Sequence, residues 1–173
     1  MSEGVSSVVD MQTAVITVDD LAVARRAVIV AEAAQIELML AFDAQQAEAS
    51  QHAINPTAGL LSRSMIPLEI GQAMELSEGQ VQAILFAART ARDRTPTVWA
   101  AFGRGDVSFQ SVREIARTVD KLVEPESVTQ LDTKVPAYAA GHTVAELRVW
   151  LRRFVVGPGR SRRRHRTSRS RTR

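Results

Sequence analysis

Three histidines, His52, His142 and His165, are the chain's whole supply of imidazole. Imidazole is the commonest proton shuttle and metal ligand near neutral pH. Their spacing serves neither role. No histidine pair stands four residues apart beside a glutamate, as a zinc-hydrolase helix needs, and no glycine-rich phosphate loop is present. His142 precedes the capping residue Thr143 and reads as a turn residue rather than a base. Asp43 and Glu48 could share a metal, but the pattern reads as a solvated acidic face. The chain has no cysteine, which excludes a thiol nucleophile, a disulfide and a Cys-ligated zinc site. "GRGD" at 103–106 reads as a chain-breaking turn. No catalytic residue, metal ligand, cofactor or small-molecule ligand is assigned.

Arginine is the exception. Residues 157–173, "GPGRSRRRHRTSRSRTR", carry eight of the 22 basic residues and no acid. Arg160, Arg162, Arg163, Arg164, Arg166, Arg169, Arg171 and Arg173 are therefore the candidate nucleic-acid-binding residues. They would contact DNA through its phosphates without reading sequence. Residues 1–156 keep 14 basic against 19 acidic residues, a net of −5. The sequence pI of about 10.1 thus belongs to the tail, and the body is expected to repel phosphate.

Residues 68–89, "LEIGQAMELSEGQVQAILFAAR", have the form of a helix-turn-helix. Ile70, Ala73, Leu76, Val81, Ile84 and Leu85 supply its packing positions. The positions that would face DNA are Glu75, Glu78, Gly79, Gln80 and Gln82. Two carboxylates there oppose phosphate, and Gln80 is engaged by the S-x-x-Q capping box that Ser77 opens. The stretch reads as an αα-hairpin that shares the geometry.

The elements that must position these residues are all helices. Thr17 to about Ser50 reads as one long helix opened by the Thr17/Asp20 pair. Leu21, Ala24, Val28, Ala31, Leu38 and Phe42 recur at three- and four-residue steps, and Val23, Ala27, Val30, Ala34 and Ala41 widen the apolar face. Such a helix is about 50 Å long, whereas a domain of this size has a radius of gyration of ~15 Å. It must overhang its domain or pack on a partner. A kinked core helix and a homodimer contact along 17–50, of coiled-coil type, are the two readings. Residues 51–66 read as loop. Further helices are expected at 67–74, 78–93, 96–103, 109–122, 125–140 and 144–156. Their punctuation is Pro96, Ser108, Gly141 and the Thr143/Glu146 box. No strand pattern exists. The fold class is all-α: one long N-terminal helix, a bundle of shorter helices and a disordered basic tail. The domains expected are 1–16 as a loose N-terminus, 17–156 as the helical domain and 157–173 as the tail. No signal peptide or membrane span is found, and a cytoplasmic protein is expected.

The order of motifs resembles the actinobacterial 13E12 repeat family, whose helical domain of unknown function, number 222, usually precedes an HNH endonuclease domain. The stretches concerned are "ARRAVIVAEAAQIELMLAFDAQ", "EIGQAMELSEGQVQAILFAART", "WAAFGRGDVSFQSVREIARTV" and "HTVAELRVWLRRFVV". Gly105, Val107 and Ser108 fit that family's Gly-x-Ile/Val-Ser turn. The resemblance implies a DNA-associated context and carries over no catalytic residue, because nothing here matches the paired histidines and asparagine of the nuclease. Two readings follow. One is a non-catalytic accessory or interaction domain of an HNH-endonuclease-type protein, truncated before the nuclease. The other is a free-standing nucleic-acid-binding protein with an arginine arm and a helix-turn-helix-like element. The abrupt change of composition at Gly157 favours a frameshift or truncation over a native arm.

Overall fold

The computed structural model describes residues 15–51 and 56–156, with side chains over 15–50 and 65–156. The eight tail arginines, the tail itself, His52, His165 and residues 1–14 lie outside the described residues. Among the described residues there are seven helices and no strand. They are α1 (Val18–Gln51), α2 (Pro56–Met74), α3 (Glu78–Arg94), α4 (Pro96–Gly103), α5 (Phe109–Val119), α6 (Pro125–Gly141) and α7 (Val144–Val156). No helix is long and apolar enough to cross a membrane, among the described residues.

Local chemistry starts most of them. The Thr17 hydroxyl accepts from the Asp20 backbone at 3.3 Å, and the Asp20 carboxylate accepts from Thr17 N at 2.8 Å. Ser77 and Gln80 form the same reciprocal box at the start of α3. Thr143 and Glu146 do so before α7. Each box satisfies amide donors that an opening helical turn leaves without partners. Pro96 and Pro125 occupy first-turn positions of α4 and α6, where a missing N–H costs nothing.

The core sits around α3 and α5. Val81, Ala88, Ala91, Val112, Ile115 and Ala116 are fully buried there. The small alanines let the two helix axes approach closely. α1 lies across α2, α3 and α4, while α6 packs on α4 and α7 on α5. Phe102 on α4 is fully buried, with Trp99 and Phe109 rings each 5.4 Å from it.

Two boundaries depart from expectation. The segment expected as loop over 51–66 is helical from Pro56, and α2 runs through Pro67 to Met74. Pro67 removes one hydrogen bond and disfavours helix at the residue before it. Burial of Ile66 and Ile70 on one face of α2 outweighs that local preference. α5 ends at Val119 rather than near 122. There the Arg94 guanidinium donates to the carbonyls of Val119 and Leu122 at 3.1 and 3.2 Å. A side chain from another helix thus satisfies oxygens that continued helix would otherwise use.

Candidate functional site

α1 carries two apolar faces, and the core takes only one of them. Ile29, Ala33, Ile36, Met39 and Leu40 enter the core. Leu21, Val28 and Leu38 are 63%, 67% and 72% exposed, and Ala24 and Ala31 between them are exposed as well. Phe42 alone of that row is partly buried. The two faces are offset because each residue advances about 100° around a helix. Val28 and its neighbour Ile29 therefore begin separate stripes. Of the two readings left open for the row Leu21–Ala24–Val28–Ala31–Leu38–Phe42, a core face is not what is found: it is an outer row, and α1 reaches the core through another face. With Gln35 the row follows a seven-residue repeat over three turns of heptad, the spacing of a coiled-coil seam.

The outer row changes character along its length. From Leu21 to Val28 it stands well exposed. From Gln35 to Phe42 the row borders an apolar hollow of about 200 Å³ between α1 and α2, closed by Ile70, Ala73 and Met74. Gln35 leans into it, with its amide nitrogen 3.7 Å from the Met74 sulfur.

α1 is held in place by the turn between α4 and α5. Gly105 has φ +80°, and a Cβ there would lie 2.6 Å from Arg26 Cγ and 2.9 Å from the Arg26 carbonyl oxygen. Glycine is required both by the backbone and by the contact. Arg26 donates to the Arg104 carbonyl at 2.9 Å and pairs with Asp106 at 2.9 Å. Val107 is buried and Ser108 caps α5 through the Ser111 amide. "GRGD" is thus a turn, and its arginine and aspartate pair with each other at 3.0 Å.

The other sequence candidates have ordinary partners. α2 and α3 form the expected hairpin. Glu75 takes a left-handed φ of 56°. The Leu76 amide bonds the Gly71 carbonyl at 2.9 Å, and the backbones approach so closely that a Cβ on Gly71 would sit 2.6 Å from the Leu76 oxygen. Glu75, Glu78 and Gln82 are exposed, and Gln82 donates to Glu78 at 3.0 Å. Asp43 is paired with Arg89. His142 follows α6, stacks on Tyr138 with centroids 3.8 Å apart, and places Nδ1 2.8 Å from the Tyr138 carbonyl oxygen. Among the described residues no group of three or more His, Cys, Asp or Glu is placed to hold a metal ion.

Sequence reasoning missed Asp132. It is buried on α6 and accepts from Thr97 N at 3.1 Å and Val98 N at 3.0 Å, capping α4 from 34 residues away. No local pattern announces a cap supplied by another helix. Pro96 marks where α4 starts, but not what satisfies its amides.

No match is found among curated proteins or solved structures. The family described as "Domain of unknown function (DUF222)" matches residues 17–156. That span runs from the Thr17 cap to the last residue of α7 and takes in the Gly105 turn and the outer row of α1. The chain belongs to this family of domains of unknown function.

Proposed function

We propose that this chain is a non-catalytic interaction domain that self-associates through the outer row of α1. In this reading it is the helical, cytoplasmic part of a DNA-associated protein of HNH-endonuclease type. One observation carries it: a heptad row containing Leu21, Val28 and Leu38 stands exposed on a helix whose opposite face already fills the core. Burying each of these side chains contributes roughly 1–2 kcal/mol. Two copies of a row gain enough to set against the entropy of association.

The pairing that suits the row is antiparallel, crossing near Ala31. The exposed Leu21–Val28 stretch of one copy then meets the hollow beside Leu38 and Phe42 of the other. Parallel pairing would set like stretch on like stretch and leave both hollows empty. The small side chains of Ala24 and Ala31 allow close approach of the axes.

The absence of cysteine makes this directly testable. Under oxidation, the Ala31→Cys chain should cross-link to itself far faster than Gln110→Cys, an exposed site on α5. Leu21→Cys alone should not cross-link, because its partner position lies at the other end of the row. Equal rates at 31 and 110 would defeat the self-association reading. Self-linkage at 21 would defeat the antiparallel arrangement.

A further inference from the structure

The net charge of −5 over residues 1–156 is not evenly spread. α1 carries six carboxylates against two arginines. α5 and α7 together carry five arginines against two glutamates. These two helices border a groove of about 690 Å³, lined also by Val149, Leu151 and Val155.

Four cations border this groove: Arg117 and Lys121 from the α5 side, Arg148 and Arg152 from α7. Arg148 and Arg152 stand one turn apart on α7, about 6 Å of helical rise, while Lys121 lies in the turn just past the end of α5. The cations therefore line the groove from both sides. Glu114 is the one carboxylate on the lining. It accepts from Arg148 at 2.8 Å and Arg117 at 3.1 Å, so both guanidiniums are held toward the groove. Lys121 and Arg152 have no ion pair among the described residues, leaving their charge to the groove. The last lining residue, Val156, is followed directly by the segment of eight arginines.

We propose that the α5–α7 groove seats the phosphodiester backbone of a nucleic acid. Guanidinium forks match phosphate oxygens in pairs, and cations on both sides of the groove present successive positions to a repeating anion. That run of eight arginines without an acid has the composition of a segment that binds polyphosphate rather than peptide. Contacts to phosphate carry no sequence information, so binding of this kind is indifferent to sequence. This goes beyond the self-association reading and does not depend on it: α1 lies elsewhere and is acidic.

The test uses the full-length chain with all eight tail arginines changed to serine, which isolates the groove. Fluorescence anisotropy with a labelled duplex of arbitrary sequence reads the affinity across salt. Four phosphate contacts should give a log K against log salt slope of about −3.5. Lys121→Glu with Arg152→Glu should weaken binding on the order of tenfold and shallow the slope by about 2. The milder Lys121→Gln with Arg152→Gln should give a smaller loss of the same kind. Glu114→Gln, which releases two arginines, should tighten binding severalfold, whereas a purely structural role predicts no gain. Arg92→Glu on α3 serves as the charge control and should weaken binding less than the groove pair. The proposal is overturned if the tail-neutral chain shows no salt-dependent affinity. It is equally overturned if the Lys121/Arg152 variants bind as their parent does, or if an acidic helical peptide occupies the groove and duplex does not.

Discussion

Gly105 joins a backbone requirement to a packing requirement. Its φ of +80° excludes most side chains, and the space a Cβ would take is filled by Arg26. Gly105→Ala should therefore destabilise the fold by about 2 kcal/mol or more, read as a lowered urea midpoint. An unchanged midpoint would mean that α1 is not locked by this turn. Glu114 gives the pH counterpart. The Arg148 hydrogen bond holds its carboxyl below the ordinary value of 4.5, against a smaller opposing effect of burial. A depressed folded-state pKa contributes stability above the unfolded value, and that contribution is lost as pH falls through the folded one. Glu114→Gln should cost about 1 kcal/mol near pH 7. The gap from the parent chain should close as pH drops below 4.5, in urea unfolding at several pH values. A gap that persists in acid would show that the ion pair is not its source.

At the scale of elements, helix starts are legible because their determinants are local. Thr17/Asp20, Ser77/Gln80, Ser108 and Thr143/Glu146 all act within four residues. What is not legible comes from other helices. Asp132 caps α4 across the bundle, and Arg94 ends α5. Helix through Pro67 rests on burial of Ile66 and Ile70, which periodicity alone does not reveal. On α1 the sequence holds two apolar stripes, and spacing cannot tell which one the core takes. The α5–α7 groove was hidden for a related reason: its cations come from stretches that total charge averages with the acids of α1. Asp132→Ala strips the Thr97 and Val98 amides of their acceptor, the second of them buried, and should cost about 2 kcal/mol. Hydrogen exchange at Thr97 and Val98 should speed up more than exchange in α3. Uniform acceleration everywhere would indicate that α4 has no separate dependence on this cap.

For the molecule as a whole, the all-α architecture with a long first helix follows the reading from sequence, and the family match covers the same span, residues 17–156. The proposed role is non-catalytic. Plasmid DNA incubated with the purified chain and Mg²⁺, Mn²⁺, Ni²⁺ or Zn²⁺ should remain uncut. Cleavage that copurifies with the protein and disappears with a chelator would require a catalytic centre not assigned here.

The central claim is that the outer row of α1 joins two copies, and mass in solution tests it most directly. Size-exclusion chromatography with light scattering on the full chain should give twice the 18.9 kDa of one copy. Leu38→Glu, which places a charge on a side chain already 72% exposed, should return the mass to one copy while leaving helical circular dichroism unchanged. Ile36→Glu, on the buried face two residues away, should instead unfold the chain. A single-copy mass for the parent chain across the accessible concentration range, or a double mass that Leu38→Glu leaves intact, would contradict the account.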